Sequence, residues 1–294
     1  MDFSLQMNNW IQQIEPALEE SIPKQKAFSP VLMEAMSYSL MAGGKRLRPM
    51  MILEACTCLG GDPKEAMPFA CAMEMIHTYS LIHDDLPAMD NDDYRRGRLT
   101  NHKVFGENMA ILAGDGLFHH AAEIMSNACL ANPCKKTVAA MQTILHGAGI
   151  HGMLVGQVVD VYFEGKPMDA EILDFIHINK TAAMIAAALK SGAILGGADD
   201  ALAEKFHLAG IKIGVAFQIL DDVLDVEGDQ ETLGKPIGSD EKNQKITYVT
   251  LFGIQKSKEI ASKLSDEAIA IWQEIGVQCA FLEELTKKLT CRTY

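Results

Sequence analysis

Four polar side chains on one face of an apolar helix constrain this chain most. In FQILDDVLDVEGD, Gln218, Asp221, Asp222 and Asp225 stand at i, i+3, i+4 and i+7, a single helical stripe. Phe217, Ile219, Leu220, Val223 and Leu224 flank them, so the helix is built for an interior. Burying three carboxylates among such neighbours is costly unless a cation sits with them. All-oxygen ligands suit Mg²⁺, which keeps several waters and is usually completed by phosphate oxygens. The fold has to place this stripe against a cation-bearing hollow, not a dry core.

A second aspartate-rich stretch, HTYSLIHDDLPAMDNDDYRRGRLTNHK, runs from His77 to Lys103. Apolar residues at helical spacing upstream (Ala70, Met73, Ile76, Leu81) predict a helix that delivers Asp84 and Asp85. At ~100° per residue, His77 and Asp84 share nearly one face, with Ser80 between them. Pro87 stops that helix near Asp85 or Leu86. Asp90 lies on the wrong side of a straight helix, so a turn has to return it. Asp92 and Asp93 follow, then Arg95, Arg96 and Arg98, whose forked guanidinium groups match phosphate oxygens. Taken alone, a DD pair beside arginines also fits a solvated loop. His83-Asp84 would fit a phosphohydrolase, but the other histidines form no set at metal spacing.

Together these motifs resemble those of the short-chain trans-prenyltransferases. DDLPAMDNDDYRRG is similar to the family's first aspartate-rich motif in its DDxxxxD form, found in bacterial-type farnesyl and plant-type geranylgeranyl diphosphate synthases. FQxxDDxLD is similar to the second motif. GGKRLRP resembles the isopentenyl diphosphate site, which implies Gly44, Lys45 and Arg48 as contacts, completed by His77 and Arg96. Lys180-Thr181 matches a pair that meets the allylic diphosphate where its helix bends. Lys235, in TLGKP, matches a further diphosphate contact. QKITYVTLFG resembles a GKxTYP stretch, with Lys245 in register but Gln244 and Val249 replacing glycine and proline. The resemblance spans essentially the whole chain, with the motifs in order.

It implies one all-α domain over residues 1–294, an antiparallel bundle of roughly ten or more helices around a central cavity. It implies a homodimer, and two or three Mg²⁺ ions, with Mn²⁺ as a substitute. Asp84 and Asp90 on one wall and Asp221 on the other would be metal ligands, supported by Asp85, Asp222 and Asp225. Arg95, Lys180 and Lys235 would steady the leaving diphosphate, with Thr181 and Gln218 beside them. The resemblance also makes Tyr79 and Ser80, five and four residues before Asp84, the chain-length positions. An aromatic at the first is the farnesyl pattern. A class I terpene cyclase would need no GGKRLRP or His77. A non-catalytic partner subunit would have lost aspartates from one motif.

Composition narrows the function classes. The net charge of −13 argues against nucleic acid or an anionic membrane as partner. Positive charge is instead concentrated locally, as polyanionic substrates require. Hydrophobic residues make up 48% of the 294, enough for a sizeable core, while aromatics are only 6%, which fits close helix packing with Met as filler. MDFSLQMNNW lacks a basic and then apolar leader pattern, and no apolar run is expected to span a membrane. The seven cysteines contain no CxxC pair, so reduced thiols in a cytoplasmic protein are expected.

The remaining segments carry smaller expectations. Residues 3–20, Pro30 to Met41, Met50 to Leu59, Lys64 to Leu86, a segment starting at Asn108, residues 137–163, Met168 to Lys190, and 254 onwards read as helices. Asp115, in AGDGLF, is expected to be buried and structural, and His119 and His120 to lie on the surface or satisfied in the core. Gln157 and Asp160 read either as a buried hydrogen-bonding pair or, by the resemblance, as part of the cavity wall.

Overall fold

The computed structural model describes residues 3–23, 30–227 and 246–290. The all-α expectation holds, and the bundle is organised around helices too apolar to have a wet face. The helix α1 spans Phe3–Ser21, α2 Pro30–Leu40, α3 Leu47–Cys58 and α4 Pro63–Asp84. Within α4, Ala66, Phe69 to Ile76, Thr78 and Ile82 are buried, so neighbours surround its middle. Asp62 caps the start of α4 by accepting from Lys64 N at 2.9 Å, and Pro63 occupies the first turn, where its missing N–H costs nothing. A buried Leu, Ile or Phe contributes about 2 kcal/mol, so this central position is what fixes α4 in place.

Beyond α4 comes a two-stranded hairpin, β1 Tyr94–Arg95 and β2 Arg98–Leu99, which the sequence reading did not foresee. Arg96 (φ 53°) and Gly97 (φ 73°) turn it, and positive φ at both central residues is what a tight hairpin needs. Then follow α5 (Asn101–Phe105), α6 (Glu107–Ala131), α7 (Lys135–Ala148) and α8 (Met153–Phe163). The single helix expected over 137–163 is two, because the chain turns at Gly149–Gly152 between α7 and α8.

The helix expected from Met168 to Lys190 is continuous but uneven. It comprises α9 (Ala170–Ile176), a π-helical segment His177–Ala182 and α10 (Ala183–Leu195). Packing makes the π segment possible. A Cβ on Gly156 of α8 would stand 2.2 Å from Lys180 N, and one on Gly214 would stand 2.4 Å from Ala182 Cα. Only glycine lets both neighbours approach this closely. Last come α11 (Asp200–Glu227), α12 (Tyr248–Phe252), α13 (Ile254–Ile275), a 3₁₀ turn at Val277–Cys279 and α14 (Ala280–Thr290). The replaced proline, Val249, sits inside α12, which a reciprocal Thr247–Thr250 capping box begins without it.

One expectation fails here. Asp115 is exposed, because α6 buries the face of Ala110, Ala113, Gly114 and Leu117, and Asp115 lies off it. Two helical stretches, Lys135–Phe163 and Ala170–Leu195, are long and apolar enough to cross a membrane by length and composition. The sequence reading sought an uninterrupted apolar run, whereas scattered polar residues still leave these windows apolar on average. In the second, 61% of the most apolar window is buried inside the fold; in the first only 28% is. His119 is exposed, as expected. His120 lies beside Ser21 O (2.7 Å) and Glu123 (3.2 Å).

Candidate active site

The first aspartate motif leaves α4 through a turn that does what the spacing required. Asp90 N donates to Asp84 O at 2.9 Å, and Asn91 N to Leu86 O at 3.1 Å. Asp90 is thereby folded back toward Asp84, and the two carboxylates feel each other. The Asp84 carboxyl is pushed up to about 6, first by burial, with Asp90 and Asp85 adding to it and Lys180 and Arg95 opposing. Asp85 is 3% exposed, and burial raises its pKa too. Arg95 grips Asp85, with Nη2 2.6 Å and Nε 2.7 Å from Oδ1, and reaches Asp92 at 3.7 Å.

The basic cluster forms on the side of His77. Gly43 (φ 84°) and Gly44 (φ 132°) carry the chain into α3 through conformations that favour glycine. A Cβ on Gly44 would meet the Arg96 guanidinium at 2.9 Å, and Arg96 Nη1 donates to Gly43 O. Arg48 Nη1 lies 3.3 Å from His77 Nε2. Arginine can only donate, so His77 accepts there as the neutral ring. Burial, then Arg48, Arg96, Arg95 and Arg46, hold its pKa well below the ordinary value. Arg48 Nε is buried without a partner, and Lys45 is exposed at the turn. Arg48, Arg96 and His77 therefore converge, with the carboxylate of Glu74 as the main counter-charge to the two guanidinium groups, which leaves positive charge for an anion. Ser80 Oγ donates back to His77 O at 2.9 Å.

The second motif faces this region across the π segment. Lys180 Nζ lies 2.6 Å from Asp160 Oδ2 on α8, and of all charged groups it acts most strongly on Asp84. The neighbouring Thr181 donates from Oγ1 to Gln218 Oε1 at 2.9 Å, and Gln218 Nε2 donates to Asp222 Oδ1 at 3.3 Å. Asp222 is 4% exposed; it also accepts from Tyr248 N at 3.1 Å and lies 3.8 Å from His177 Nε2. Asp221 and Asp225 are half-buried on the same stripe. One irregular helical turn thus bonds to the second aspartate motif through Thr181 and acts on the first through the charge of Lys180, and π-bulges often mark such positions. Lys235 and Lys245 lie outside the described residues.

Several contacts of the site went unread in the sequence. Asp160 pairs with Lys180, not with Gln157, whose amide atoms are buried without partners. Buried Glu74 underlies the basic cluster; a single charge within the apolar stretch from Ala66 to Ile76 was the available signal. Phe118 of α6 stands edge-on to Tyr79 at 5.2 Å, and His83 at 5.7 Å. Burial first, then Asp84, raise the Tyr79 phenol, so Tyr79 lies within the field of the first motif despite its offset on the helical wheel.

The donor set fits Mg²⁺. It is all carboxylate oxygen, and Asp84, raised first by burial and then by Asp90 and Asp85, would be relieved by a cation. Among the described residues no three acidic, His or Cys side chains are grouped to hold a metal ion by themselves.

Comparison with known proteins agrees with this geometry. The polyprenyl synthetase family model matches residues 29–275. A dimethylallyltranstransferase of Fischerella ambigua is 48% identical over 258 residues, covering 87% of this chain and 74% of that protein. A farnesyl diphosphate synthase of Geobacillus stearothermophilus is 46% identical over 254 residues (86% and 85%). A chloroplastic geranylgeranyl pyrophosphate synthase of Catharanthus roseus is 46% identical over 268 residues, covering 91% and 74%. Among solved structures, an apo FPP/GFPP synthase from Zymomonas mobilis superposes with TM-score 0.88 at 32% identity, over 98% of this chain and 99% of that one. A Helicobacter pylori geranyltransferase complexed with magnesium and isoprenyl diphosphate gives 0.86 at 33% identity (98% and 96%). A helical bundle with two aspartate motifs, a basic cluster beside the first of them, and relatives of this closeness make the chain a member of the polyprenyl synthetase family.

Proposed function

We propose that this prenyltransferase joins isopentenyl diphosphate head-to-tail to dimethylallyl and geranyl diphosphate, with farnesyl diphosphate as product. The observation that carries the reading is the separation of two anion-seeking regions in one site. One is the Arg48–His77–Arg96 cluster at GGKRLRP; the other is the pair of aspartate motifs joined through Lys180, Thr181 and Gln218. A cyclase or a phosphohydrolase needs only the second. Lys45, Arg48, His77 and Arg96 hold the homoallylic diphosphate.

Asp84, Asp90 and Asp221 would hold Mg²⁺ with Asp85, Asp222 and Asp225 in support, and the bound ion supplies charge neutralisation to the leaving diphosphate. Arg95 and Lys180 add positive charge from the protein, once an arriving diphosphate draws them from Asp85 and Asp160. The allylic C–O bond breaks, its electron pair leaving with the diphosphate. The isopentenyl double bond attacks the resulting allylic cation, and the new tertiary cation loses a proton to the departed diphosphate. His77, neutral and bonded to Arg48, orients the homoallylic substrate. The apolar walls keep out water, which would trap the cation as an alcohol.

Tyr79, close to Asp84 and backed by Phe118, favours the farnesyl product. A geranylgeranyl product is the alternative, since relatives of both kinds stand at 46% identity. The exposed apolar residues Leu154, Val158 and Val161, at one-face spacing on α8, support a homodimer. The free cysteines suit a reducing, cytoplasmic setting. Incubation with both diphosphates under a Mg²⁺ titration, with products resolved by chromatography, tests the reading. A metal-dependent fifteen-carbon diphosphate supports it, and full activity in EDTA rejects it.

A further inference from the structure

Arg46 is a basic residue of GGKRLRP that the reaction above leaves unused. Its side chain is fully buried, and its backbone (φ 48°, ψ 37°) occupies the left-handed region that favours glycine. Such a residue persists only where its surroundings over-determine it. They do so here through one guanidinium. Nε lies 2.7 Å from Glu15 Oε1 on α1, and Nη1 lies 2.7 Å from Glu74 Oε1 on α4. Nη2 donates to Leu40 O, at the end of α2, at 2.7 Å. Arg46 thus ties three helices to a point two residues before Arg48.

The placement of Glu74 matters for the site. It stands three residues before His77 on α4, and its charge acts on Arg48 and Arg96 as well. The guanidinium groups of Arg48 and Arg96 repel each other, so their spacing before a substrate arrives depends on what anchors the turn. We propose that Arg46, through Glu74 and Glu15, is a positioning residue that holds the GGKRLRP turn so that Arg48 meets His77 and the homoallylic diphosphate. This rests on the reading of that cluster as the isopentenyl diphosphate pocket. A buried ion pair is weak evidence for stability as such, since desolvation offsets much of its attraction. A placement of about 1 Å, by contrast, can change a rate about 10²-fold.

The test is steady-state kinetics with each substrate varied in turn, on Arg46→Gln, Arg46→Lys, Glu15→Gln and, as reference, Arg48→Ala. Arg46→Gln is expected to raise KM for isopentenyl diphosphate about tenfold, leaving kcat and KM for geranyl diphosphate within about twofold. Arg46→Lys keeps the charge but loses the fork, so it should fall between wild type and Arg46→Gln. Glu15→Gln touches only the half-buried end of the network, and a smaller but equally selective rise is expected. It carries the test if Arg46→Gln does not fold. A lowered melting temperature with both KM values unchanged makes Arg46 purely structural and overturns the inference. Arg48→Ala separates the two readings: if it weakens both substrates equally, the pocket assignment falls. If Arg48→Ala is selective while the Arg46 and Glu15 variants are not, the positioning role alone falls.

Discussion

Replacing Tyr79 by alanine should lengthen the product. The ring stands edge-on to Phe118 at 5.2 Å and to His83 at 5.7 Å, between α4 and α6 and within the field of Asp84. Removing it takes away a six-membered ring and a hydroxyl, more than the volume of one five-carbon isoprene unit. Truncating a buried aromatic costs about 3 kcal/mol or more when the space stays empty. Here a longer chain can fill it. Five buried carbons at about 0.8 kcal/mol each give an upper bound near 4 kcal/mol. If half is realised, about 2 kcal/mol, the ratio of twenty- to fifteen-carbon product rises about thirtyfold. Phe118 remains as a second layer, so the single variant should stop at twenty carbons, and adding Phe118→Ala should allow longer chains. Radiolabelled isopentenyl diphosphate with reversed-phase chromatography of the products reads this directly. A wild type that already makes mainly twenty-carbon product, or a Tyr79→Ala enzyme with an unchanged distribution, refutes the reasoning.

Other outcomes follow from the same geometry. Between about pH 3.8 and 6 Asp84 takes up a proton on folding, because burial pushes its pKa up to about 6 in the fold against an ordinary 3.8. Its contribution to stability is present below 3.8 and is lost as pH rises through about 6. At about 1.4 kcal/mol per tenfold change, that loss is about 3 kcal/mol before solvent screening and about 1 kcal/mol after it. In EDTA, Asp84→Asn should therefore be more stable than wild type at pH 8 and inactive, measured by urea denaturation and turnover; equal or lower stability contradicts this. The proton also competes with metal, so the Mg²⁺ needed for half-maximal rate should climb as pH falls below about 6, and a pH-independent requirement would count against Asp84 as ligand. Asp221→Ala should lower kcat by about 10² or more, and a variant that keeps its kcat removes Asp221 from the leaving-group wall. Arg48→Ala should raise KM for isopentenyl diphosphate far more than for geranyl diphosphate, and an equal rise contradicts the pocket assignment.

The sequence made much of this legible where one element carries the whole pattern. The stripe Gln218–Asp221–Asp222–Asp225 was readable because a single helix sets its geometry. The return of Asp90 was foreseen as a need, since Pro87 rules out a straight helix. What could not be read depended on contacts between distant segments. Asp115 looked like a buried residue from its apolar neighbours, yet which face of α6 meets α4 is decided by tertiary packing. The π turn at Lys180 needs Gly156 and Gly214 on two other helices. Arg46 and Arg48 are chemically alike and two residues apart. Only the placement of Glu15 and Glu74 turns one into the interior and leaves the other beside His77.

The central claim is that two diphosphates are held in one site and become one carbon chain. Mass spectrometry of the product formed from carbon-13 isopentenyl diphosphate, unlabelled geranyl diphosphate and Mg²⁺ tests it most directly. The expected product is a single fifteen-carbon diphosphate carrying one labelled five-carbon unit, absent when either substrate or the metal is omitted. Inorganic phosphate released without isopentenyl diphosphate, or an unlabelled cyclised hydrocarbon, would contradict it.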